Sequence, residues 1–137
     1  MYTKKRCEYV IGDMMKTDVL QAALQILIPK EILEAFDLEK IEEVEGNIRI
    51  FHMVEKESQM PQVDEPLMKD GYMREVNIQH FPSGVMCSIL RLKRRRWASR
   101  KDRSKSYYNK YSFTDEGMKI TREYGAFLKD AGEKPLL

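Results

Sequence analysis

Apolar residues first recur at helical spacing between Asp18 and Ile28, where Val19, Ala22, Ala23, Ile26 and Leu27 fall on one face. Thr17 and Asp18 offer capping side chains there, after a loosely ordered, mixed-charge arm over residues 1–16. Pro29 ends this helix and opens a second over Lys30 to Phe36, whose buried face is Ile32, Leu33 and Phe36. Both helices are short, so packing must hold them. The period then changes to two. Lys40 to Glu45 and Ile48 to Val54 read as a hairpin about a Gly46-Asn47 turn. Residues 55–71 carry Pro61, Pro66 and Gly71 without a period and read as a linker.

A second hairpin runs from Arg74 to Phe81, turns at Pro82-Ser83-Gly84, and returns as one long strand from Val85 to Trp97. A polar, basic loop follows over 98–106, expected to order only on binding. Tyr107 to Phe113 then alternates as a short strand. Thr114 is placed to cap a last helix, with Met118, Ile120, Thr121, Tyr124, Phe127 and Leu128 as its stripe, stopped by Gly132 and Pro135. The fold class predicted is α+β: antiparallel β-hairpins with short N-terminal helices and a C-terminal helix.

Charge divides the chain where periodicity does not. Residues 1–72 hold nine Lys or Arg against fifteen Asp or Glu, a net of −6. Residues 73–137 hold fifteen against seven, a net of +8, so the whole-chain value of +2 conceals the asymmetry. An acidic helical and hairpin lobe, 1–72, and a basic lobe of hairpin plus C-terminal helix, 73–137, are the expected domains. No apolar run approaches the roughly twenty residues of a membrane span, and no export signal is read behind the basic N-terminus. Cys7 and Cys87 stand eighty positions apart, which suits free thiols in a reducing cytoplasm. The nine methionines read as core fillers.

The basic half concentrates its charge. From Arg91 to Lys105, nine of fifteen residues are Lys or Arg, against the single acid Asp102. An edge strand needs two or three such charges to resist aggregation. The excess points to a polyanion, most commonly nucleic acid, whose phosphates release counterions when Lys or Arg neutralises them. The candidate contacts are Arg91, Lys93, Arg94, Arg95, Arg96, Arg100, Lys101, Arg103 and Lys105. Alternation puts Arg91, Lys93 and Arg95 on one face and Arg94 and Arg96 on the other. Trp97, Tyr107, Tyr108 and Tyr111 flank the run; they either stack on unpaired bases or seal a small sheet, and Trp97 reads as core.

Catalytic chemistry is not legible. His52 and His80 lack further ligands at metal spacing, so no metal and no cofactor is expected. There is no nucleophile-plus-base arrangement and no Gly-rich phosphate loop. The carboxylates Glu39, Glu42, Glu43 and Glu45 read as a solvated hairpin face rather than a metal site. The chain is expected not to be an enzyme.

Two blocks carry a resemblance. One is Val76-Asn77-Ile78-Gln79-His80-Phe81-Pro82-Ser83-Gly84 with the strand that ends Arg94-Arg95-Arg96-Trp97. The other runs from Tyr111-Ser112-Phe113-Thr114-Asp115-Glu116-Gly117 to Phe127-Leu128-Lys129. Together they resemble the N-terminal region of a group of bacterial insertion-sequence transposases, over about the last sixty residues. The resemblance implies double-stranded DNA, the terminal inverted repeats of a mobile element, as the partner, and a cytoplasmic protein that is nucleoid-associated when bound. Broader relatives carry a zinc ribbon with a Cys-x-x-Cys after the tryptophan. Here Ala98-Ser99-Arg100-Lys101 stands instead, which implies a metal-free ribbon. The acidic-triad catalytic domain is absent, so the chain is expected to be one reading frame of a split element or a stand-alone remnant. Two alternatives stay open: an assembly module that docks a separate catalytic transposase chain or forms a homodimer, and an RNA-binding regulator that uses the aromatics.

Overall fold

The computed structural model describes residues 14–132. The arm expected over 1–16 lies outside them except for its last three positions, which are helical; Cys7 and Pro135 also lie outside. Helix α1 spans Met14–Leu27 and α2 spans Lys30–Ala35. Pro29 parts them with φ −54° and ψ 138°, and its carbonyl accepts the amides of Ile32 and Leu33, each at 3.1 Å. The buried stripe of α1 differs from the one expected. Leu24, Leu27 and Ile28 pack on the core, while Val19 and Ile26 are exposed. Among the described side chains of α1, those packed on the core, Leu24 and Leu27, belong to its last turn. Phe36 does not close α2; it is extended, φ −129°, and starts a strand.

Strands β1 (Phe36–Val44) and β2 (Ile48–Glu55) form the first hairpin. Its loop is Glu45-Gly46-Asn47, one residue longer than read, with Gly46 at φ 88° and Asn47 at φ 56° supplying the left-handed bend. Residues 55–71 are not a bare linker. They contain a 3-10 turn, Glu57–Gln59, and strand β3, Leu67–Tyr72. The second hairpin pairs β4 (Val76–Ser83) with β5 (Met86–Lys93) about a Gly84-Val85 turn, two residues beyond Pro82. Strand β6 (Arg95–Ser99) and the short β7 (Ser106–Tyr107) complete the set.

Two sheets result. One has the order β1-β2-β5-β4 and the other β3-β6-β7. The fold is α+β, as its helices and strands are segregated, but its sheets are not wholly antiparallel: β2 and β5 run parallel, from Ile48 beside Cys87 to Val54 beside Lys93. These central strands are buried on both faces, Phe51, Met53, Leu90 and Leu92 towards the helices and Ile50 and Ile89 on the other side. Fully burying each such side chain stabilises the fold by about 1.5–3 kcal/mol. Both sheets join strands from either side of position 72, so the acidic and basic halves are a division of charge and not of folding units.

The expected long strand from Val85 to Trp97 breaks at Arg94, and Glu55 is the cause. Its carboxylate is 1% exposed. The Arg95 amide donates to Glu55 Oε1 at 2.9 Å, and the Arg95 Nε–H donates to the Glu55 carbonyl at 2.7 Å. Just past the last β2–β5 pair, this side chain takes the amide that would otherwise extend the ladder. The chain therefore turns into the second sheet, where Ala98 pairs with Met68 and Trp97 with Lys69. Glu55 Oε2 also accepts from Asn109 Nδ2 at 3.0 Å and from the Tyr111 hydroxyl. Burial and this bond push the Tyr111 hydroxyl pKa upward.

The last helix, α3, is Arg122–Ala131 and is shorter than read. Its cap is Thr121, whose side chain accepts from the Tyr124 amide, and Gly132 closes it at φ 72°. Thr114 instead bridges to Thr121, and Gly117, at φ 78°, bends the segment between them out of helical geometry. That segment lies along the free edge of β4: the Gln79 amide donates to the Lys119 carbonyl and the Thr121 amide to the Gln79 carbonyl, both at 2.9 Å. No helix among the described residues is long and apolar enough to cross a membrane.

Two outcomes are expected. Glu55→Gln turns an acceptor into a donor opposite Asn109 and Tyr111, and should cost about 3 kcal/mol in urea unfolding; a loss below about 1 kcal/mol would show that Glu55 does not hold the two sheets together. His80 is buried against Thr121, with Nδ1 2.7 Å from the Thr121 hydroxyl, and burial lowers its pKa from 6.5 to about 4. The unfolded chain then binds the extra proton first. Stability should be full above pH 6.5 and fall as pH drops towards 4, by on the order of 2 kcal/mol, with His80→Gln removing that share of the slope. An equal slope in the variant would refute the assignment.

Candidate nucleic-acid interface

The structure disperses the basic run instead of lining it along one ribbon. Arg91 Nε donates to Asn77 Oδ1 across the β4–β5 pair at 2.9 Å. Lys93 and Arg95 share the Tyr72 ring, at 4.9 and 5.5 Å from its centroid. Arg94 points elsewhere: it lies 5.2 Å from the Tyr108 ring and donates to the Asn109 carbonyl at 2.9 Å. Arg96 donates to the Asp70 carbonyl at 2.9 Å and pairs with the Asp70 carboxylate. Arg100 donates to the Leu67 carbonyl at 3.2 Å. Four of the six arginines in the run thus donate to backbone carbonyls of distant segments. The planar fork makes such bonds, and an ammonium on a flexible stem does so less well. Much of the arginine density therefore serves to fasten β6 and its flanking residues to β2, β3 and the chain at Asn109.

The charges left over gather on the turn after β6. This segment, expected to be without order, is a hydrogen-bonded turn. Ser99 is fully buried; its hydroxyl accepts from the amides of Lys101 and Asp102, each at 3.2 Å, and donates to Glu65. The Ser99 amide donates to the Lys105 carbonyl at 3.1 Å, and the Lys105 amide to the Asp102 carbonyl at 3.0 Å. Asp102 Oδ1 in turn accepts from the Ser104 amide and hydroxyl, at 3.0 and 2.6 Å, which lowers its pKa. The bonds from Ser99 and Tyr107 hold the Glu65 carboxyl below its usual range and raise the Tyr107 hydroxyl. Lys101, Arg103 and Lys105 ride on this frame as exposed side chains, in no close ion pair among the described residues.

The flanking aromatics divide as well. Trp97 is buried, 5% exposed, and cannot stack on a base. Tyr107 is tied to Glu65 at 2.5 Å, and Tyr111 to Glu55. Tyr108 is exposed. It borders a groove of about 460 Å³ between the β4 edge and residues 108–119, with Arg94, Lys110 and Lys119 among its lining residues. Sequence reasoning passed over Lys110 and Lys119, because they lie outside the dense run and only the fold of 108–121 brings them to Arg94. No cluster of His, Cys, Asp or Glu among the described residues could hold a metal ion. Glu42 and Glu43, two of the hairpin carboxylates, pair with His52 and Arg49, each at 2.8 Å. Comparison with protein-family models, curated proteins and solved structures finds no match.

Proposed function

We propose that this chain binds nucleic acid through phosphate contacts centred on the turn after β6, and that it serves as the DNA-binding, end-recognising region of a transposase. The observation that carries the binding is the turn itself. Lys101, Arg103 and Lys105 are exposed on a turn whose backbone is fixed by Ser99, Glu65 and Asp102, so three cations within five residues stand on a frame that is in place before any ligand arrives. Holding like charges together in this way is costly unless a polyanion neutralises them. Duplex DNA as the polyanion, and the ends of a mobile element as its location, rest on the resemblance of the Val76–Gly84 and Tyr111–Lys129 blocks. The arginines of β6 lend positive potential while remaining bound to the protein's own carbonyls.

The test is fluorescence anisotropy on labelled duplexes, taken from DNA flanking the coding sequence and from scrambled controls, over a salt series. Binding should weaken steeply with salt. Replacing Lys101, Arg103 and Lys105 together by Ser should reduce the log–log slope by about two to three units, near 0.9 per lost phosphate contact. Tighter binding to the flanking duplexes is expected if the chain reads element ends. An unchanged slope in the triple variant would remove the turn from the interface.

A further inference from the structure

The groove beside Arg94 has the composition of a site for a single nucleotide. Its floor is aromatic: Phe36, Tyr111 and Phe113 pack together, with the Tyr111 and Phe113 rings stacked at 5.0 Å and 11°. Tyr108, 38% exposed under the Arg94 guanidinium, presents an open ring at one margin. Arg94, Lys110 and Lys119 supply three cations to the lining, and no carboxylate among the described residues lines it. Asn77 and Thr114 add polar groups that can meet the edge of a base. Its volume of about 460 Å³ lies within the range of small-ligand pockets.

We infer that this groove takes an unpaired nucleobase, with the attached phosphate held by Lys110, Lys119 and Arg94. The inference extends the nucleic-acid reading and rests on it for the source of the nucleotide. A flat apolar body suits the open ring of Tyr108, since every base has a face to stack, while the buried Phe36 and Phe113 only make the bottom of the groove apolar. The cationic, carboxylate-free lining suits its phosphate and disfavours a neutral apolar occupant. Arg94 immediately precedes β6 and the basic turn follows it, so a nucleotide in the groove and phosphates at the turn would lie at the two ends of one strand. The chemistry is shared by an unpaired nucleotide of a DNA strand and by a free nucleoside monophosphate.

Anisotropy with a blunt duplex, the same duplex bearing a three-nucleotide overhang, and adenosine monophosphate as competitor separates these cases. The overhang should tighten binding about tenfold. Tyr108→Ala, and separately Lys110→Ser with Lys119→Ser, should abolish that gain and leave blunt-duplex affinity nearly unchanged; all three positions are exposed, and circular dichroism confirms the fold. Competition by the monophosphate at micromolar concentration would make a free nucleotide a ligand too; its failure would assign the groove to nucleic-acid strands alone. Equal affinity for blunt and overhang duplexes would overturn the groove proposal and leave duplex binding standing. Binding of the overhang strand without the blunt duplex would uphold the groove and overturn the duplex reading. No binding of any probe would overturn both.

Discussion

Glu55 closes the first sheet and opens the second. Its buried carboxylate accepts from Arg95, Asn109 and Tyr111, three groups from two separate stretches of chain. A buried charge is costly unless its lone pairs are filled, and removing one partner leaves the others exposed to the same penalty. Each of these bonds therefore depends on the rest. The break at Arg94, the entry into β6 and the placing of residues 107–113 against the core all follow from satisfying one side chain.

That constraint divides the arginines from the lysines. On β6, the Arg95 and Arg96 guanidinium groups bridge to the carbonyls of Glu55 and Asp70; on either side of it, Arg94 bridges to Asn109 and Arg100 to Leu67. Three of these bonds tie the segment to the neighbouring strands β2 and β3, and the fourth, from Arg94, holds the irregular chain at Asn109. Two of the three charges on the turn after β6 are lysines, and none of the three makes a backbone tie of this kind. High positive density thus has two causes in one stretch of fifteen residues. One is internal fastening; the other, we propose, is contact with a polyanion at the exposed Lys101, Arg103 and Lys105.

Local patterns were legible in the sequence, and pairings between distant segments were not. The Ile48 to Val54 strand, the Lys30 helix and the Gly132 stop follow from alternation, proline and glycine placement, and the structure has them within a residue or two. The linker reading of 55–71 missed β3, because Leu67–Tyr72 is a strand only by virtue of its pairing with Arg95–Ser99. The parallel β2–β5 contact has no local signature, since periodicity marks a strand and not its neighbour. Thr114 to Lys119 satisfies the rules for a helix start, yet the open edge of β4 and the left-handed Gly117 draw it into an extended wall. The groove is made by that wall, which is why Lys110 and Lys119 were invisible until it was in place. The basic residues of the run go to separate partners, which charge density alone does not reveal; alternation did foresee that Lys93 and Arg95 would part from Arg94.

Arg94 and the β6 arginines Arg95 and Arg96 are expected to act through their forks, and the turn after β6 through its charge. Changing Arg94, Arg95 and Arg96 together to Lys keeps every charge and removes every fork. Thermal unfolding and duplex affinity, measured on that one variant at a temperature where it is folded, test the claim most directly. The expected result is a melting temperature lowered by ten degrees or more, about 2–3 kcal/mol for a chain of this size, with duplex affinity within about threefold of the parent. Unchanged stability with a loss of affinity beyond tenfold would contradict it, and would return the arginines to the DNA.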